Sequence, residues 1–223
     1  MKKTATLSEA VTLLGYERVI TEKTARDLWG IGSDSDDQDT QILTSFFESC
    51  AEANKLGLAN WYLVYGLGLS LFDQLDMRFE KEFCFCDKHQ RREVMLRGNE
   101  EGWSHKGYES GYYLLDFGYN DDRAGRLEGL SLFEQEEVIK LRPSKMRAPE
   151  QLVCEAIFDL YDNFNLEVME NWNHIGQLKM SDGLSIYVGH ATKRFSGIHV
   201  FGMPRGHEQF PSYGFGVVLA MKK

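Results

Sequence analysis

The chain is short of proline and of cysteine, with four of each in 223 residues. So few prolines, and no repetitive or Gly/Ser-rich stretch, leave no linker to separate independently folding units. Cysteines at 50, 84, 86 and 154 are too few and too unevenly spaced for a secreted disulfide framework, which points to a reducing cytoplasm. Positive charge is also deficient: 25 Lys and Arg stand against 34 Asp and Glu, for a net charge of -9. Binding to nucleic acid or anionic lipid relies on a cationic surface, so nucleic acid is disfavoured as a partner. Long apolar runs are missing too. The most apolar window, residues 61–72, ends at Asp73 and falls short of the ~20 residues that cross a bilayer, so no membrane contact is expected. Glu9 interrupts the segment where a signal sequence needs an apolar run, and Met1 is read as the start of the mature chain. No G-x-S-x-G, Walker, dinucleotide-binding or H-E-x-x-H pattern occurs.

What is present is an ordinary globular composition, 43% hydrophobic and 26% charged, enough for a buried core and incompatible with a disordered chain. Ser8 and Thr21 are placed to cap two short N-terminal helices, and Gly15 to end the first. Apolar residues from Ile42 to Leu56 recur at three- and four-residue spacings, predicting a helix that Gly57 closes. Residues 60–76 are apolar all round and read as a helix buried among its neighbours, with Gly66 and Gly68 as close packing sites. Strand character follows: Phe79, Phe83 and Phe85 alternate with polar residues, then come 94–96 and the aromatic stretch 112–117. Ser131 and Glu134 form a capping-box pattern ahead of a helix over 132–141, and Pro149 opens a further one striped by Leu152, Val153, Ala156, Ile157 and Leu160. The tail, from His174 onward, returns to strands. The expected fold class is α+β. A helical N-terminal lobe over 1–77 packs on an α+β body over 78–223, which ends in an antiparallel meander, and the two form one compact unit.

Four features invite a chemical reading. The N-terminal helices resemble a helix-turn-helix only superficially, because six residues separate Gly15 from Glu22 and the second helix carries equal acid and base. Asp34, Asp36, Asp37 and Asp39 offer ligands for a hard cation, but an EF-hand starting at Asp34 wants Gly and Glu where Asp39 and Ser45 stand. Cys84, Cys86 and His89 are zinc-ligand types, yet on an extended strand the two thiols lie about 6.5–7 Å apart along the chain and no second cysteine pair completes the set.

The fourth feature is a row of histidines. Ser181-Asp182-Gly183 suits a three-residue hairpin loop, which sets Leu178 against Ile186, Gly176 against Val188 and His174 against His190. A four-residue loop over 193–196 then sets Thr192 against Gly197, His190 against His199 and Val188 against Phe201. His174, His190 and His199 would share one end of an apolar face, close enough for zinc or another divalent transition metal with a position open for water.

Two functions are therefore expected to compete. One is a non-catalytic, acidic, cytoplasmic interaction protein, such as an inhibitor, immunity or accessory factor, that recognises a basic protein surface. Its acids cluster at 34–39, 100–101, 121–122 and 134–137, and aromatic residues make up 13% of the chain. The other is a metal-dependent hydrolase or phosphoesterase built on the three histidines.

Overall fold

The computed structural model describes residues 4–32, 41–43, 47–100, 102–118, 127–141, 145–169, 172–180, 183, 185–192, 197–202 and 215–222. The first half of the chain holds β1 (Thr4–Thr6), α1 (Leu7–Leu14), β2 (Val19–Ile20), α2 (Glu22–Leu28), β3 (Gln41–Leu43), α3 (Phe47–Lys55), β4 (Trp61–Gly66), α4 (Leu71–Met77), β5 (Cys84–Phe85) and α5 (Lys88–Glu100). The second half holds β6 (Gly111–Asp116), α6 (Leu132–Lys140), β7 (Met146–Arg147), α7 (Glu150–Phe164), β8 (Asn173–Lys179), β9 (Ser185–Thr192), β10 (Gly197–Gly202), β11 (Phe215–Gly216) and β12 (Leu219–Lys222). This is an α+β fold.

Local signals fix several helix ends. Thr6, not Ser8, caps α1, in a reciprocal box with Glu9, and Ser8 lies inside the helix. Thr21 caps α2 as expected, and Ser131 and Glu134 form their box at α6. Ser70 and Asp73 make the same box at α4, a helix that the sequence merged into a longer one.

That merger is the main correction. Residues 61–66 are a strand, β4, because both of its faces are covered and a short run apolar on every side suits a buried strand as well as a buried helix. Tyr62 and Val64 pack toward α7, whereas Trp61 and Leu63 pack toward α1 and α3. Two further expectations change: residues 94–96 belong to helix α5, and strand β3 occupies the start of the helix expected from Ile42.

Strand β4 lies in a five-stranded sheet of order β2-β4-β6-β12-β7, so strands from both sides of residue 77 share one sheet. The second sheet has the order β11-β8-β9-β10-β5, in which β8, β9 and β10 form the expected antiparallel meander. Helix α7 touches β4 of the first sheet and both β8 and β9 of the second, and it supplies the largest block of the main core, from Leu152 to Leu160.

Gly197 joins the meander to β5. It pairs with Thr192 on one side and Cys84 on the other, at φ +154°, and a Cβ there would run into the Cys84 carbonyl oxygen. Gly197→Ala is expected to lower stability by about 2–4 kcal/mol in urea denaturation. A loss below ~0.5 kcal/mol would mean that the junction relaxes freely.

Candidate functional site

The histidine row is governed by strand register. Near the turn the first hairpin pairs as expected, with Lys179 opposite Ser185, but an irregularity between Ile175 and Lys179 then moves the pairing by two residues. His174 therefore faces Val188, and Asn173 faces Gly189. In the second hairpin Gly197 does pair with Thr192, but a one-residue bulge follows and sets His199 opposite Gly189 and Val200 opposite Val188. A one-residue slip moves a side chain to the other face of a sheet. The core face is taken by Ile198 and Val200, both buried, which puts His199 on the opposite face, where its ring stacks on Phe201 at 5.7 Å. The side chain of His190 lies outside the described residues. The three expected ligands therefore do not form a row on one face: His174 and His199 are on different faces of the sheet.

His174 has another task. Its Nδ1 accepts the Val218 backbone N–H and its Nε2 donates to the Ala148 carbonyl, each at 2.9 Å. Ala148 follows β7 and Val218 precedes β12, both in the first sheet, whereas His174 is on β8 in the second. The imidazole thus clasps the two sheets together, with both ring nitrogens committed. Complete burial drives its pKa down to about 3, so it is held neutral.

Helix α7 carries a set of polar residues that sequence reasoning missed. Glu150 accepts the backbone N–H groups of Gln177 and Leu178, at 2.9 and 2.8 Å, so its carboxylate does for the edge of β8 what a neighbouring strand would do. Glu155 accepts from the N–H groups of Leu67 and Leu69, at 2.7 and 2.8 Å, fixing the loop between β4 and α4. Asp159 accepts the Trp29 indole N–H at 2.6 Å. Burial raises the pKa of all three, Asp159 to about 8. Arg78 lies alongside, paired with both Asp162 oxygens at 2.9 and 3.0 Å and donating to the Phe83 carbonyl. The signal was present as Gln151, Glu155, Asp159 and Asp162 at spacings of four, four and three, but such a stripe reads as a solvated helix face.

The remaining candidates are also accounted for. Between α1 and α2 lies β2, an edge strand of the first sheet, and α2 packs on α7, so the pair does not form a helix-turn-helix. The acidic run Asp34, Asp36, Asp37 and Asp39 lies outside the described residues, as does the loop 193–196. Cys84 and Cys86 are buried, whereas His89 is exposed on α5 with its edge on Phe79 at 4.9 Å. Burial pushes the thiol of Cys86 up to about 11 and that of Cys50 up to about 12, and it raises Cys84 and Cys154 as well, so all four stay protonated near neutral pH. Among the described residues no group of three or more His, Cys, Asp or Glu could hold a metal ion, and no helix is long and apolar enough to cross a membrane.

Among the described residues, exposed apolar side chains without a partner in the fold include Leu56 and Leu58 after α3 and, beside clustered acids, a pair at α6. On α6, Phe133 is 71% exposed, and Leu141, immediately after the helix, is 82% exposed. Between them stand Glu134, Glu136 and Glu137, with Lys140 as the helix's single cation. Glu136 reaches Arg147 at 2.7 Å and Glu137 pairs with Lys140 at 2.7 Å. The inner side of α6 anchors through Gln135, which donates to the Leu127 and Leu130 carbonyls, and through buried Ile139. The outer side is apolar residues framed by carboxylates. Compared with known proteins, the chain matches no family model, no curated protein and no solved structure.

Proposed function

We propose that this chain is a non-catalytic interaction protein of a reducing compartment such as the cytoplasm, an inhibitor, immunity or accessory factor that binds a basic protein surface through the outer side of α6. The observation that carries this reading is the exposure of Phe133 and Leu141 beside the carboxylates of Glu134, Glu136 and Glu137. Burying one large apolar side chain contributes about 1.5–3 kcal/mol, and such anchors dominate interfaces when a polar rim excludes water. The carboxylates supply long-range attraction to a cationic partner, as does the net charge of -9. The groups that could otherwise perform chemistry, His174 and the carboxylates of α7, are buried and bonded to backbone amides or Trp29. All four cysteines are buried thiols, which supports the reducing compartment. No observation among the described residues favours the alternative of a metal-dependent hydrolase.

The test uses a panel of Lys/Arg-rich amphipathic peptides with leucine or tryptophan anchors, fluorescently labelled, against the full chain. Binding is expected for basic members and not for acidic counterparts. Phe133→Ser combined with Leu141→Ser is expected to weaken it by tenfold or more, about 1.4 kcal/mol, and the association rate is expected to fall as salt rises. Equal binding of acidic peptides, no binding by any basic member, or an unchanged affinity in the double variant contradicts the proposal.

A further inference from the structure

An open cavity of about 510 Å3 lies between α6 and the β8–β9 strand pair. Its apolar part comes from Leu132 and Phe133 on α6, and its polar part from Arg147, Lys179 and Ser185, with Lys140 and Glu136 added by α6. Among the described residues, three cations meet one carboxylate there, in a chain whose overall charge is -9. That carboxylate, Glu136, is already bonded to the Arg147 Nε. Arg147 is nearly buried and held rigidly: its Nη1 donates to Gln135 Oε1 at 3.1 Å and to the Ile175 carbonyl at 2.7 Å, while its Nη2 makes no hydrogen bond. Since Nη2 is itself buried, the guanidinium offers the cavity a fixed positive charge rather than a reachable donor, which favours an anion over a neutral ligand. Lys179 donates to the Ser185 hydroxyl across the strand pair, setting an ammonium and a hydroxyl side by side. Lys140 holds Glu137 only in a solvent-exposed pair, and such pairs contribute little, so its ammonium can swing to a new anion.

We infer that this cavity binds a small organic anion, a phosphate or carboxylate group carried on an aromatic or apolar body. The charged group would sit toward Arg147, Lys179 and Lys140, and the body would cover Leu132 and the ring of Phe133. A volume of about 510 Å3 exceeds what a bare inorganic ion fills and falls in the range of small-molecule pockets. This inference does not rest on the partner reading, although Phe133, Glu136 and Lys140 belong to both surfaces; Leu141 does not line the cavity, so Leu141→Ser separates the two.

The test is calorimetric titration of the full chain with phenyl phosphate, benzoate, inorganic phosphate, benzyl alcohol and benzylamine. Phenyl phosphate and benzoate are expected to bind, inorganic phosphate more weakly, and the neutral and cationic analogues not detectably. Lys179→Gln and Lys140→Gln, each verified as folded by its thermal melt, are expected to weaken phenyl phosphate by about fivefold or more, while Leu141→Ser leaves it unchanged. Benzylamine binding as tightly as phenyl phosphate, affinity unaltered in both lysine variants, or no binding by either organic anion overturns the inference. Inorganic phosphate binding as tightly as phenyl phosphate overturns the assignment of an organic body.

Discussion

His174→Ala is expected to lower the free energy of unfolding by about 3–5 kcal/mol, because it removes a buried ring and strands two backbone groups at once. The Val218 N–H and the Ala148 carbonyl lose their partners in a place that water does not reach, and the two sheets lose one of the side chains that join them. His174→Gln, which keeps one donor and one acceptor, is expected to recover part of the loss. The same residue shapes the acid limb of the stability profile. Its pKa falls from 6.5 to about 3 on folding, so the unfolded chain takes up a proton that the folded chain refuses. The stabilising contribution is complete above about pH 6.5 and is lost as pH falls toward 3, on the order of 4 kcal/mol over the whole window. Urea denaturation at pH 7, 5 and 4 reads this directly, and His174→Gln should flatten the acid limb. An unchanged slope in a folded His174→Gln variant would show that other groups set it.

The second large effect has the opposite sign. Burial raises Asp159 from 3.8 to about 8, so the folded chain keeps a proton that the unfolded chain has released. This contribution is complete below about pH 4, declines as pH rises and is gone above about pH 8. Asp159→Asn keeps an oxygen for the Trp29 indole N–H and abolishes the titration. Relative to the unsubstituted chain, the variant is expected to gain about 4 kcal/mol between pH 5 and pH 8, at roughly 1.4 kcal/mol per unit. Glu155, raised in the same direction by burial and by the Asp159 charge, adds to the decline with rising pH in both proteins. Parallel profiles for the variant and the unsubstituted chain would mean that Asp159 folds in its ionised form, with Arg78 meeting its charge.

Elements whose signals are local were legible in the sequence. The Thr21 cap, the Ser131–Glu134 box, the 111–116 strand and the long helix after Pro149 all depend on residues close together in the chain. Strand β4 was not, since a run buried on both faces has no period to distinguish strand from helix. The histidine row failed at two places where register depends on tertiary competition. Ile198 and Val200 take the core face ahead of His199 and Phe201, and a bulge absorbs the difference. The α7 carboxylates were read as part of an ordinary helix because nothing in their spacing shows that backbone amides from residues 67, 69, 177 and 178 arrive to meet them. Of the α6 surface the acids at 134–137 were legible, whereas the exposure of Phe133 and Leu141 is a property of packing alone.

The claim that α6 is the recognition surface is tested most directly by backbone NMR of the full chain, titrated with the tightest-binding basic peptide of the panel. The largest shifts are expected on residues 132–141 and are expected to vanish when Phe133 and Leu141 are both serine. Largest shifts elsewhere, for instance around the exposed Leu56 and Leu58 after α3, would contradict it.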